Sequence, residues 1–290
     1  MTRSSAELKK LARASLQGKY GTFIGTYLIY TLIVLAASTI ISLLTLGTRG
    51  STYWITQVSF QLILSFIWTI FGVGFTYQSM KACREQDISI GDLFYGFTHN
   101  PDRFIVVALL QTLIALALLS PSLIIFVTAG IINSNFSDGM LVAGLLLYNV
   151  AIVLLIIVML ALSLCFYLII DNPSMSAMDS LKASWELMKG NKGRLFYISL
   201  SFLGLMLLGL LSFGIGMLWV VPYINVTTAY FYFDVIGALD QPVAEVADTP
   251  VDEQPSVVEA PVVEVPVVDE ALVVDIPVAD EAPANDTPAE

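Results

Sequence analysis

Charged residues, histidines and cysteines are scarce in this sequence of 290 residues. Lys, Arg, Asp and Glu make up 13% of the chain, about half the share found in soluble domains. Apolar residues make up 57%, which is too much for a water-soluble globule and points to a membrane protein. The one histidine, His99, and the two cysteines, Cys83 and Cys165, exclude a four-ligand Cys/His zinc site and a disulfide framework.

Motifs of the common enzyme classes are absent as well. The sequence contains no P-loop, no HExxH zinc motif and no GxSxG nucleophile elbow. No carboxylate lies in the middle of an apolar stretch, which argues against an ion-coupled pump. The net charge of −11 argues against nucleic-acid binding. We therefore predict a protein that is not an enzyme, with no catalytic residue, no metal site, no cofactor and no nucleic-acid partner.

The acidic character belongs to the C-terminal end alone. Residues 238–290 contain 14 Asp or Glu, no Lys or Arg, and 8 of the 12 prolines, whereas residues 1–237 contain 13 basic and 10 acidic residues. Proline interrupts helices and strands, and like charges repel. We predict a polytopic membrane domain at 1–237 and a disordered, acidic, Pro/Val-rich cytoplasmic tail at 238–290. The tail either only solubilises the protein or serves as a docking arm for a basic cytoplasmic protein.

Long uncharged stretches predict an all-α membrane protein with six transmembrane helices arranged as three hairpins. About 20 apolar residues of helix cross a bilayer core. The last stretch, 195–236, has 42 residues, enough for two helices, and the glycines in 212–216 allow a reversal in its middle. Reading this stretch as one broken helix gives five spans instead. The six predicted spans are residues 22–46, 54–80, 104–132, 140–170, 195–212 and 214–236.

The basic residues predict the orientation of these spans. Twelve of the 13 lie before span 1, after span 2 or after span 4, and only Arg49 lies on the other side. Lys and Arg stay in cytoplasmic loops. We therefore expect a multi-pass protein of the cytoplasmic (plasma) membrane with both the N-terminus and the C-terminus in the cytoplasm.

Each predicted hairpin follows a short amphipathic segment that we expect to form an interfacial helix on the cytoplasmic side. The three segments open with the capping-box spacing, at Ser4 with Glu7, Ser89 with Asp92, and Ser176 with Asp179. A glycine that could end each helix follows, at Gly18, Gly96 and Gly190.

The polar residues inside the predicted spans include the amides Gln57, Gln61, Gln111, Asn149 and Asn225. Such amides either make hydrogen bonds between helices or line a polar groove for a ligand. Both readings stay open at this point.

Two runs of residues carry a family resemblance. Residues 180–192 read Ser-Leu-Lys-Ala-Ser-Trp-Glu-Leu-Met-Lys-Gly-Asn-Lys, and residues 214–219 read Gly-Ile-Gly-Met-Leu-Trp, followed by Pro-Tyr at 222–223. Together with the opening at 8–18, these runs resemble the bacterial integral membrane protein family known as domain of unknown function 975, over residues 5–236. The residues that carry the resemblance are Gly18, Ser184, Met188, Gly190, Asn191, Phe196, Gly214, Gly216, Trp219, Pro222, Tyr223 and Tyr232. The resemblance implies a multi-span plasma-membrane protein and lends no catalytic residue.

The functional prediction is a non-enzymatic membrane scaffold or accessory protein. The alternative is a transporter or a protein that handles lipids or peptides. The expected partners are membrane lipid, a cytoplasmic protein at the acidic tail, and a second copy of the chain, since Gly21 and Gly25 form a GxxxG pattern that permits close helix packing.

Overall fold

A computed structural model describes residues 3–132 and 138–240, and every regular element in these two ranges is a helix. The predicted tail lies almost wholly outside the described residues. Two 3-10 turns, Ile90–Phe94 and Ala238–Asp240, accompany the α-helices. The α-helices are α1 (Ser5–Leu16), α2 (Tyr20–Leu44), α3 (Gly50–Cys83), α4 (Tyr95–Thr98), α5 (Pro101–Ile132), α6 (Asp138–Ala161), α7 (Cys165–Asp171), α8 (Ala177–Leu187), α9 (Lys192–Ser201), α10 (Leu203–Leu211) and α11 (Met217–Val235).

The predicted all-α class is confirmed for the described residues, and five described segments are long and apolar enough to cross a membrane. They coincide with the first five predicted spans. The sixth predicted span forms α11, which is not among the five; its 19 residues include Pro222, Asn225 and Asp234, which lower its mean hydropathy. The five segments are Tyr20–Leu44, Ile55–Cys83, Pro101–Phe126, Val142–Asp171 and Lys192–Leu211.

The chain reverses direction between α10 and α11, as the glycines at 212–216 predict. Phe213 and Gly214 both have positive φ angles, of 54° and 82°, and the Gly216 N–H donates to the Ser212 hydroxyl. A Cβ on Gly216 would lie 2.8 Å from the Gly209 Cα, so the two helices approach closely here. The Phe213 side chain at the tip is 99% exposed.

The first and third amphipathic segments form helices with the predicted ends. The Ser4 hydroxyl accepts the Glu7 N–H and begins α1, and Ser176 begins α8 in the same way. Gly18 and Gly190 follow these helices with φ of 78° and 82°. The buried face of α1, formed by Leu8, Ala12 and Leu16, packs on the protein itself, chiefly on α11.

The second segment differs from the prediction. The capping box formed by Ser89 and Asp92 begins the 3-10 turn Ile90–Phe94, and α4 follows this turn directly. Gly96 lies inside α4, so its predicted role as a helix-ending residue is wrong. A Cβ on Gly96 would lie 2.8 Å from the Ile70 carbonyl oxygen, and a Cβ on Gly74 would lie 2.1 Å from that of Leu93. These two glycines let the segment lie directly against α3.

Burial is concentrated at one end of the helices, where α1, α4 and α8 lie together with all basic residues except Arg49. We call this the basic end. Toward the other end the helices expose many apolar side chains, as a lipid-facing surface does. The largest fully buried side chains are Leu8, Leu16, Phe23, Met80, Leu93, Phe104, Leu164, Leu168, Ile169, Phe202, Phe231 and Tyr232.

The fourth predicted span is interrupted near the basic end. Helix α6 ends at Ala161 and α7 begins at Cys165, which frees backbone groups that an unbroken helix would pair. The buried Ser184 hydroxyl donates to the Ala161 carbonyl at 2.8 Å and accepts the Leu164 N–H at 3.2 Å. The Gln111 amide donates to the Leu162 carbonyl at 3.3 Å. Side chains of α8 and α5 therefore provide hydrogen bonds to the backbone groups at the break.

We predict that Ser184→Ala lowers the free energy of unfolding by about 1–3 kcal/mol, because it leaves buried backbone groups without partners. Ser180→Ala is the matched control, since the equally buried Ser180 hydroxyl donates to the Ala177 carbonyl of its own helix and pairs with no backbone group of the break. Thermal unfolding of both variants in detergent measures the difference. Equal destabilisation would contradict the role given to Ser184.

Candidate functional sites

The basic end is held together by buried ion pairs. Arg84, at the end of α3, donates to one oxygen of Asp171 at the end of α7, and the Tyr232 hydroxyl of α11 donates to the other at 2.8 Å. The Arg84 and Asp171 side chains are only 3% and 17% exposed. The guanidinium also lies 5.1 Å from the centre of the Phe233 ring. This network joins three helices.

A second buried carboxylate joins three other parts of the chain. Asp234 of α11 accepts from Arg194 of α9 at 2.6 Å and from the Arg3 backbone N–H at 3.1 Å. Arg194 also donates to the Arg3 carbonyl at 2.7 Å. The Asp234 side chain is 2% exposed although it lies at a helix end. The start of α1, the first turn of α9 and the end of α11 are thus fixed to one another.

Other basic side chains at this end also make contacts within the protein. Lys81 pairs with Asp92 at 3.1 Å. Lys19 donates to the Gln86 carbonyl at 2.9 Å, and Arg13 donates to the Tyr223 hydroxyl at 2.8 Å. These contacts tie the loop after α3 and the helix α11 to their neighbours. We call the packed set of α1, α4, α7, α8 and the adjoining ends of α3, α9 and α11 the platform.

Two ionisable groups of α1 have shifted pKa values. The Ser4 backbone N–H and hydroxyl donate to Glu7, and these hydrogen bonds lower the pKa of its carboxyl. Burial, followed by the nearby charge of Arg13, lowers the pKa of Lys9, whose ammonium lies 4.2 Å from the centre of the Phe202 ring. Both groups serve to fix α1.

The residues that carry the family resemblance lie mostly at helix ends and at contacts between helices. The Ser184 hydroxyl makes hydrogen bonds at the break between α6 and α7. The Tyr223 hydroxyl accepts from Arg13, and the Tyr232 hydroxyl donates to Asp171. Asn191 bonds to the Leu187 carbonyl and accepts from Arg194. The others are the positive-φ residues Gly18, Gly190 and Gly214, the close-packed Gly216, the buried Met188 and Pro222, and the exposed Phe196 and Trp219.

A polar cavity of about 150 Å³ lies between α2 and α3, toward the end opposite the platform. Gln57 and Gln61 lie one helical turn apart in its wall, and neither amide makes a hydrogen bond with any described residue. Unpaired amides can donate to and accept from an uncharged polar group. The cavity is lined by Ser38, Ile41, Ser42, Thr45, Tyr53, Gln57, Gln61 and Leu64.

The other three predicted amides lie elsewhere. Gln111 bonds at the break between α6 and α7, and Asn149 donates to the Leu145 carbonyl of its own helix at 2.8 Å. Asn225 is half-buried on α11. The structure therefore brings only Gln57 and Gln61 together.

Sequence reasoning missed the buried ion pairs. Asp171 and Asp234 lie at predicted span ends, where water is normally within reach, so the sequence gave no reason to expect burial. The partner of each carboxylate lies at least 40 residues away along the chain, as in the pair of Arg194 with Asp234. Burial of these groups follows from the packing of α7, α8 and α11 and has no local sequence signal.

A family model described as "Protein of unknown function (DUF975)" matches residues 1–238. The chain belongs to this family. The DUF975 match ends where the acidic tail begins, and it confirms the family resemblance that the sequence predicts. No curated protein and no solved structure shows a significant match to the sequence.

We predict that Asp171→Asn in this DUF975 protein lowers the free energy of unfolding by about 3–5 kcal/mol, because the buried Arg84 loses its counter-charge. Glu186→Gln is the matched control, since the Lys189–Glu186 pair is exposed and contributes about 1 kcal/mol or less. Thermal unfolding in detergent distinguishes the two. If the second variant Arg84→Met/Asp171→Asn is no more stable than Asp171→Asn alone, the unpaired charge is not the cause.

Proposed function

We propose that the chain crosses the plasma membrane of a bacterium six times, with both termini in the cytoplasm. Helix α11 has 19 residues and is about 28 Å long at 1.5 Å per residue, close to the thickness of a bilayer core. The reversal at 212–216 directs it back toward the platform. The basic residues gathered at the platform support a cytoplasmic position for that end.

Epitope tags at the two termini and in the loop after Thr48 test this topology. In intact cells stripped of their wall, both terminal tags are expected to resist added protease, because they lie inside. The tag after Thr48 is expected to be cleaved, and it serves as the control for access. Cleavage of the C-terminal tag in intact cells would contradict six crossings and leave five.

We propose further that the protein is a non-enzymatic scaffold or accessory protein that presents its platform to cytoplasmic partners. The observation that carries this proposal is the use of the buried carboxylates: Asp171 and Asp234 are each held by an arginine and a second donor. Groups held in this way fix helices in place. They give a rigid surface on which Lys10 of α1 and Lys182 of α8 remain exposed.

The cavity between α2 and α3 favours the alternative, a protein that handles a small polar ligand or a lipid. The observation that supports this alternative is that Gln57 and Gln61 make no hydrogen bonds with described residues. Leaving two amides unpaired next to hydrocarbon is costly unless a ligand or water satisfies them. The cavity is small, however, and it lies away from the platform.

Photo-cross-linking in living cells distinguishes the two functions. A photoreactive residue at Lys10 or Lys182 is expected to give discrete adducts with other proteins, because the platform is the contact surface. The same residue at the exposed Leu208 of α10 is the control and is expected to contact lipid only.

Repeating the experiment with residues 238–290 deleted tests the docking arm, and loss of the adducts is the expected result. Absence of protein adducts at both platform positions in the full-length chain would contradict the scaffold.

A further inference from the structure

An apolar groove runs between α6 and α9 near the platform. Its volume is about 340 Å³. Phe196 of α9 forms one wall, and the other consists of the branched side chains of Val153, Ile156, Ile157 and Leu160 of α6. The ring of Phe196 is about half exposed. The groove is open on one side, toward the surface where lipid chains lie around a membrane protein. Its width and chemistry suit a hydrocarbon chain.

A cation lies at the platform end of this groove. Lys192 is the first residue of α9, and its ammonium lies 4.2 Å from the centre of the Trp185 ring of α8. It makes no hydrogen bond or ion pair with a described residue. By contrast, Lys81 and Arg194 are each paired with a carboxylate. Tryptophan is typical of the membrane–water boundary, and in the topology proposed above the ammonium lies at the depth of lipid headgroups.

A second cavity of about 310 Å³ adjoins the groove, and Gly193 lines both. Its walls include Arg194, Tyr197 and the Ser5 hydroxyl, and this hydroxyl and the Arg194 Nε make no hydrogen bond with a described residue. Arg3 also lies in the wall. The Ser5 hydroxyl and the Arg194 Nε–H can donate to phosphate oxygens.

We propose that the groove and this cavity together bind one anionic phospholipid of the inner leaflet. One acyl chain lies along α6 and Phe196, and the phosphate lies beside Gly193 between Lys192 and the Arg194 side chain. A basic pocket at the headgroup level between transmembrane helices is the usual recognition mode for anionic lipids. The site depends on α6 and α9 lying in the membrane, and it is independent of the scaffold function.

Native mass spectrometry of the full-length protein tests this site. The protein is equilibrated in mixed micelles with equal amounts of dioleoyl-phosphatidylglycerol and dioleoyl-phosphatidylcholine, which differ in headgroup charge and share their acyl chains. We expect the protein to retain one phosphatidylglycerol in preference to phosphatidylcholine. Lys192→Met is expected to lower this preference about fivefold, since it removes one cation near the anionic headgroup.

Gly193→Leu probes the same site without removing a charge. A Cβ at Gly193 meets no atom within 4 Å, so the new side chain enters the open space of the two cavities and displaces the lipid. The matched controls are Lys182→Met, an exposed lysine of α8, and Gly204→Leu, an equally open glycine of α10. Both controls are expected to retain phosphatidylglycerol as the unmodified protein does.

Two results would overturn the proposal. Equal retention of the two lipids by the unmodified protein would show no preference for the anionic headgroup. Undiminished retention of phosphatidylglycerol in both Lys192→Met and Gly193→Leu would place the lipid at another site. Thermal unfolding of every variant in the same micelles separates loss of lipid from loss of fold.

Discussion

Lipid tails are as apolar as leucine, so burial of apolar side chains does not by itself hold helices together inside a bilayer. This protein meets that constraint at one end of its helices. Asp171 and Asp234 each bind an arginine from another helix, and Ser184 satisfies the backbone of the α6–α7 break. The packed core surrounds these contacts. Elsewhere the helices expose apolar side chains, as expected where lipid is the neighbour.

Local features of this fold could be predicted because their cause is local. The capping serines Ser4 and Ser176 and the terminal glycine Gly18 act within one turn of their own helix, and the reversal at 212–216 needs only glycines between apolar runs. Gly96 shows the limit. Its pattern resembles that of Gly18, but it serves the close approach of α4 to α3, which depends on residues about 25 positions away.

The candidate sites could be predicted less well, for the same reason. The sequence shows where an amide lies within an apolar run, but it does not show what that amide contacts. Gln111 donates to the Leu162 carbonyl in the break after α6, whereas Gln57 and Gln61 line a cavity. The groove at Lys192 is invisible in the sequence because α6 and α8 supply most of its surroundings. Tertiary packing determines whether a lysine such as Lys192 has a carboxylate partner. The charges near it in the sequence do not predict this.

The unequal lengths of the helices connect this architecture to the membrane around it. Helix α5 has 32 residues, about 48 Å, whereas the segment Lys192–Leu211 has 20 residues, about 30 Å. With six crossings, the short C-terminal hairpin matches an ordinary bilayer core and α5 must tilt or project beyond it. In that proposed topology, hydrophobic mismatch is built into the fold. In a thicker bilayer, the exposed Phe213 at one end of the hairpin and Lys192 at the other would be the first groups drawn into hydrocarbon.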